Sequence, residues 1–243
     1  KQMIQQAKKQ IKNKLDKKIL IAVCQLDESQ EEDIWNEGVV GLVSGRLTNK
    51  YYKPSLVITK TKEGYKGSGR SIPELNLVKA IEKASDHLER FGGHPAAAGF
   101  SLKNDQIDRF SEEMEKIVGE ELTNTKLIPT VSIDCVLDIN ELNDNLVKSV
   151  VQLEPFGSDN PKPVFLSEKL EVMDIITMGL SGQHLKLRVR GNESKVFSAI
   201  AFNRADKWDL KLGGLIDMVY TVEFNEFNGK KDIQMKIIDI KLK

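Results

Sequence analysis

A change of hydrophobic period around Thr123-Asn124-Thr125 and Pro129 constrains the fold of this chain more than any other feature. Upstream of it, strand-like and helix-like apolar segments alternate, the pattern of an α/β domain. Ile19–Cys24 is a continuous apolar run, the mark of a strand covered on both faces. An acidic loop, Asp27–Asp33, separates it from a helix with Val39, Leu42, Val43 and Leu47 on one side. A strand Ser55–Lys60, a turn near Gly64 and a strand leading to Gly67 follow. A helix through Leu77, Ile81, Ala84 and Leu88 comes next, then a strand, Ala97–Leu102. Asn104 suits the cap of a further helix that buries Ile107, Phe110, Met114, Ile117 and Val118. Residues 1–16 read as a basic helix with a narrow apolar stripe of Ile4, Ala7, Ile11 and Leu15. Such a stripe needs a partner surface; without one the helix frays.

Downstream, period two takes over. A strand Val131–Leu137 and a helix Asn140–Leu153 lead into a rigid segment, Pro155–Pro163. Leu185, Leu187 and Val189 then alternate with Lys186, Arg188 and Arg190. Ile216, Met218, Tyr220, Val222 and Phe224 share one face, as do Ile233, Met235 and Ile237, and Asn228-Gly229 between them is a hairpin signal. Five short strands with a helical insertion near Ala205–Leu210 fit an OB barrel. The expected fold is therefore an α/β domain followed by an all-β OB-fold barrel, α+β overall. Its divisions are a linker helix at 1–16, the α/β domain at 17–124 and the barrel at 125–243.

Composition narrows the function by exclusion. The 243 residues carry 36 Lys+Arg against 36 Asp+Glu, and each half of the chain is nearly neutral. Bulk charge thus gives no support to nucleic-acid binding, which must rest on local patches. Cys24 and Cys135 are far apart and form no Cys-x-x-Cys, so neither a zinc site nor a disulfide framework is indicated. No apolar stretch reaches the length of a membrane span and no signal peptide opens the chain, which makes the cytoplasm the default location.

Three places carry candidate chemistry. In the run Phe91–Phe100, Gly92 and Gly93 provide a backbone turn with bare amides, and His94 follows with an imidazole N–H; such donors hold an anionic oxygen. An isolated Gly-Gly-His is more often only a tight connection. In Lys66-Gly67-Ser68-Gly69-Arg70-Ser71, the Ser68 hydroxyl and the Arg70 guanidinium sit two residues apart, on what reads as a flexible loop suited to a phosphate. It is not a nucleotide P-loop, because Gly-x-x-x-x-Gly-Lys-Ser/Thr is absent; a solvated turn explains it equally well. The third place is the outward row Lys186, Arg188 and Arg190, on the second presumed barrel strand. A polar outer face is ordinary, yet all three are cations, and the second and third OB strands form a common oligonucleotide surface. Phe227, at the tip of the last hairpin, is either a base-stacking residue or folded back on the barrel.

Taken together, the runs resemble a known family. Trp35–Leu47, Lys66–Ser71 and Phe91–Gly99 are similar to the DHH-associated domain of RecJ-type single-strand DNA exonucleases. Leu153–Phe165 resembles the entry to the OB domain that follows it, and Asn225–Gly229 a hairpin of that domain. The resemblance covers the chain from about Ile19 onward. It implies the substrate-binding part of a 5′→3′ exonuclease that releases mononucleotides in DNA repair and recombination. His94 with the Gly92 and Gly93 amides would meet the phosphate at the cleavage site, Ser68 and Arg70 a phosphate near the 5′ end, and Arg46 is a weaker candidate. The family also carries an Asp-His-His domain that holds Mn2+ or Mg2+. Here His87, His94 and His184 stand apart, Asp86-His87 is followed by leucine, and the first residue is Lys1. The resemblance thus implies a monomeric C-terminal part that binds single-stranded DNA, lacks the metal and is inactive by itself, its partner being the missing N-terminal catalytic domain. Two rivals remain: a non-catalytic single-strand binding module, and a DHH phosphodiesterase for short oligonucleotides or cyclic dinucleotides, against which residues 125–243 argue.

Overall fold

The computed structural model describes residues 2–24, 35–157, 159–227 and 229–243, so the expected acidic loop Asp27–Asp33 lies outside the described residues. The chain forms two compact units, Lys1–Pro129 and Thr130–Lys243. The division falls beyond Thr125 because Leu127 packs on the first core and Lys18 Nζ donates to Thr125 O at 3.2 Å.

The first unit runs α1 (Gln2–Ile11), β1 (Leu20–Val23), α2 (Val40–Tyr51), β2 (Ser55–Thr61), β3 (Gly64–Arg70), α3 (Leu77–Lys83), β4 (Arg90–His94), β5 (Ala97–Leu102) and α4 (Ile107–Glu121). The sheet order is β1-β2-β3-β5-β4, with β1 parallel to β2 and the other neighbours antiparallel. Alternate strand residues face opposite sides, and both sides of β1 and β2 are covered. Leu20, Ala22 and Val57 meet α1 and α2 through Ala7, Ile11, Val40, Val43 and Leu47. Ile19, Ile21, Leu56, Ile58, Phe100 and Leu102 meet α3 and α4. The surface that the stripe of α1 needs is thus supplied by its own unit. The Gln10 amide also pairs with both the N–H and the C=O of Val23, at 3.0 and 2.7 Å, on the outer strand of the sheet.

Three local expectations are corrected here. Lys66–Arg70 is strand, not flexible loop, because Gly67 and Gly69 let neighbouring side chains press onto β3. A Cβ at Gly67 would overlap the Phe100 ring, and one at Gly69 would come within 2.6 Å of Leu56. Gly92-Gly93-His94 is likewise strand, in β4, and the chain reverses at Pro95-Ala96 instead. The buried face of α2 is Val40, Val43, Ser44, Leu47 and Thr48, while Val39 and Leu42 are 38% and 68% exposed. The helix begins at Val40, and the three- and four-residue spacing from there selects the two hydroxyl residues instead.

The second unit runs β6 (Cys135–Val136), α5 (Asp144–Val151), β7 (Phe165–Met178), β8 (His184–Arg190), β9 (Val196–Ala201), β10 (Leu215–Phe227) and β11 (Lys230–Leu242). Strands β7-β8-β9-β11-β10 close back onto β7, with β9 and β11 parallel and the other pairs antiparallel. This is the OB barrel. Leu185, Leu187, Val189, Met218, Tyr220, Val222 and Met235 fill it. Tyr220 hydrogen-bonds Ser167 Oγ at 2.8 Å, and burial pushes its phenol up to about 12, so it stays protonated. The expected first strand is regular only at Cys135–Val136, and the helix is shortened to Asp144–Val151, where the Asn143 side chain caps it. The helical insertion expected near Ala205–Leu210 is a run of turns. Asn203 and Gly213, at φ 55° and 74°, bracket it in a backbone region that does not propagate a right-handed helix. Ala205, Trp208 and Leu210 still pack on the barrel.

Candidate nucleic-acid interface

The covering of the first sheet stops part-way. α2 packs on β2 and β3 and α1 on β1, but on that same side β5 shows exposed Gly99 and half-buried Ala97 and Ser101, and every residue of β4 is exposed. Register fixes what stands there. Paired residues of antiparallel strands point to one side, so three rows cross the open face: Arg70–Ala97–His94, Ser68–Gly99–Gly92 and Lys66–Ser101–Arg90. Two outer rails, Lys66, Ser68, Arg70 on β3 and Arg90, Gly92, His94 on β4, flank a floor of small residues on β5. Two strand spacings separate the Arg70 and His94 backbones, about 10 Å. The result is a shallow track with donors on both banks.

Each bank is held in place. The Arg70 guanidinium donates to Ser68 Oγ at 3.3 Å and to Gly69 O at 2.9 Å. It lies against α2, where a Cβ at Gly41 would stand 3.1 Å from Ser68 Oγ and 3.3 Å from Arg70 Nη2. Thr48 Oγ1 donates to Arg70 O, fixing the end of β3 to the helix. The Pro95-Ala96 reversal is tied to the segment after β3 by Ser71 N–H to Ala96 O and Leu77 N–H to Pro95 O, both at 2.9 Å. Lys66 pairs with Glu37 at 2.8 Å, which raises its ammonium above the usual value.

Of the residues singled out from sequence, Ser68, Arg70, Gly92 and His94 come together on this face. Gly93 points to the other side. Its φ is 150°, and an added Cβ would lie 2.6 Å from Ala98 Cα, so the fold itself requires glycine there. Arg46 is exposed on α2; burial, Lys50 and Arg46 together lower the Lys8 ammonium, which places Arg46 in a cationic patch with those lysines. No hydrogen bond links it to Ser68 or Arg70 among the described residues. The sequence reading missed Lys66, Arg90 and Ser101. Period-two spacing in Lys66-x-Ser68-x-Arg70 and Arg90-x-Gly92-x-His94 carried that signal, but the glycines concealed the strands.

Residues 16–120 match the DHHA1 domain model and residues 133–239 the RecJ OB domain model. The single-stranded-DNA-specific exonuclease RecJ of Bacillus subtilis (strain 168) is 34% identical over 84% of this chain and 26% of that protein. The chain is a DHHA1 domain followed by a RecJ OB domain. RecJ of Haemophilus influenzae is 30% identical over 84% of the chain and 36% of that protein. The chain thus spans about a quarter to a third of these RecJ proteins. The crystal structure of RecJ in complex with Mn2+ from Thermus thermophilus shares the fold at a TM-score of 0.66 and 24% identity, over 99% of this chain and 34% of that one. The Mg2+ complex from the same organism gives 0.65. Among the described residues, no group of three or more His, Cys, Asp or Glu is placed to hold a metal ion. These side chains therefore do not fit the divalent metal of those relatives.

The RecJ OB unit presents its own basic row. Lys186, Arg188 and Arg190 alternate with buried Leu187 and Val189 on the outside of β8. The row is less free than the strand alone suggests: Arg190 Nη2 pairs with Glu171 on β7 at 2.6 Å, and Arg188 stands opposite Asp174. Lys236, on β11, is likewise tied to Glu223 at 2.7 Å. A cavity of about 430 Å3 adjoins Lys186, Lys195, Ser198 and Asn225. Phe227 ends β10, and its side chain lies outside the described residues.

Proposed function

We propose that this chain is the substrate-handling part of a RecJ-type exonuclease that degrades single-stranded DNA from the 5′ end to mononucleotides, a cytoplasmic activity serving DNA repair and recombination. The observation that carries the reading is the Arg70–Ala97–His94 row on an uncovered half of a sheet. A strand laid along the track meets a guanidinium fork and a hydroxyl on one bank and an imidazole on the other, with only small side chains beneath. Such donors hold phosphate oxygens and stabilise charge that builds on them during hydrolysis. Gly92 and Gly93 add backbone amides on the His94 bank. Arg46 supplies long-range attraction only. Chemistry at Mn2+ or Mg2+ is assigned to the part of RecJ proteins that lies outside this chain, so the chain alone binds and does not cleave. The OB unit binds single-stranded DNA through Lys186, Arg188 and Phe227, and Arg190 contributes less because Glu171 engages it. The protein acts as a monomer.

Titrating the 243-residue chain with a fluorescent, 5′-phosphorylated oligothymidylate tests this reading. Arg70→Ala and His94→Ala should each weaken binding, with thermal melts unchanged. In the full-length protein each should lower turnover about a hundredfold, and Arg70→Lys should rescue little, because an ammonium lacks the fork. Wild-type turnover in either alanine variant would remove that residue from the site. Metal-dependent release of mononucleotides by the 243-residue chain itself would overturn the division of labour.

A further inference from the structure

The third row of the track has a cavity of its own. A volume of about 520 Å3 opens beside Lys66, Ser68, Arg90, Gly99, Ser101 and Glu37. We propose that it is a second phosphate subsite, taking the phosphate two repeats along the strand from the one held at Arg70 and His94; the inference rests on the single-strand reading above. Arg90 is exposed at the end of β4 and forms no hydrogen bond or ion pair among the described residues, and the Ser101 hydroxyl is equally unengaged. The two point to the same side and pair directly in the register. Together they offer a planar donor fork and a short donor to one phosphodiester. Lys66 completes the row from the opposite bank, restrained by Glu37 at 2.8 Å.

The glycines between the two subsites support the path. At Gly92 an added Cβ meets nothing within 4 Å, and at Gly99 only Gly67 O at 3.9 Å; neither backbone is in the left-handed region. The fold does not need glycine at either position, whereas it does at Gly67 and Gly93. Both open glycines sit in the middle row, between the subsites, where a side chain would rise into the track. Rows follow each other every two residues, about 6.7 Å along the strands and comparable with one sugar–phosphate repeat, so the third row lies about 13 Å, two repeats, from the Arg70–His94 row. Glu37 has a definite role in this arrangement: its carboxylate neutralises Lys66 and repels an incoming phosphate, so it lowers affinity at this subsite.

Length dependence tests the subsite. The 243-residue chain is titrated with a 5′-phosphorylated mononucleotide and a 5′-phosphorylated tetranucleotide, both labelled at the 3′ end, across a salt series. Arg90→Ala should weaken tetranucleotide binding about tenfold and reduce the salt slope by about one. Mononucleotide binding should stay at the wild-type value. Gly99→Ala should weaken the tetranucleotide without lowering the melting temperature, and Glu37→Gln should tighten it severalfold. Arg70→Ala, as control, should weaken both probes. Equal loss for both probes in Arg90→Ala, or loss for neither while Arg70→Ala still weakens them, overturns the subsite and leaves the single-strand reading standing. A wild-type chain that binds neither probe sinks both.

Discussion

Glycine does different jobs in the first unit, and a single Cβ tells them apart. At Gly67 the missing Cβ is what lets the Phe100 ring lie flat on β3, where it also meets Phe110 with ring centroids 4.8 Å apart. Gly67→Ala should therefore cost about 1–3 kcal/mol by overpacking. Gly99→Ala, whose Cβ would point into open space, should be neutral or stabilising by up to about 1 kcal/mol, because the unfolded chain loses freedom. Chemical denaturation of the two variants checks the contrast; equal destabilisation would mean that Gly99 also serves the fold. Gly41 shows a third use: its bare Cα leaves room for Ser68 and Arg70 beside α2. In the sequence these residues all look alike. His94 and Arg70 were legible as candidates from residue type and neighbours, but their standing in one row was not, because it depends on the pairing of β3, β5 and β4.

At the scale of the element, a cation's value is set by the neighbouring strand. Lys186, Arg188 and Arg190 look equivalent along β8, yet β7 places Glu171 against Arg190 and leaves Arg188 and Lys186 without an ion pair among the described residues. In titrations with a longer single-stranded oligonucleotide, Arg188→Ala should reduce the salt slope by about one, and Arg190→Ala by clearly less, since its charge is already neutralised. Phe227→Ala should weaken binding, by about 1–3 kcal/mol if the ring stacks on a base, with little change in slope. Unchanged affinity in both Arg188→Ala and Phe227→Ala, with the fold intact, would leave this surface without a role. Elements with a clean apolar period were read well: β8, β10, β11 and α4 lie where the alternation or the three-four spacing puts them. The end of β3, Lys66–Arg70, and β4 were misread as loop and turn because glycine carries no hydrophobic signal, and their strand state comes from the strands they pair with. The turns at 202–214 were misread for the opposite reason, since apolar Ala205, Trp208 and Leu210 reach the barrel without helical backbone.

The whole molecule consists of two units with separate cores. Chains covering residues 1–129 and 130–243 should each fold cooperatively when made alone, with amide dispersion and a sigmoidal melt as the measurement. Failure of the first piece but not the second would show that the barrel stabilises the sheet unit. If both fold, oligonucleotide binding to the first piece should retain its sensitivity to Arg70→Ala. Periodicity in the sequence determined the succession of an α/β unit and an OB barrel, and the apolar sets that fill them, because burial selects side chains by spacing alone. Residue chemistry determined which side chains were worth attention. Only the tertiary structure decided that α2 covers half of a sheet face, that register sets Arg70 across from His94, and that Arg90 and Lys66 share a third row with Ser101. Those outcomes depend on pairings between strands far apart in the chain, and a local pattern of apolar and polar residues carries no term for them.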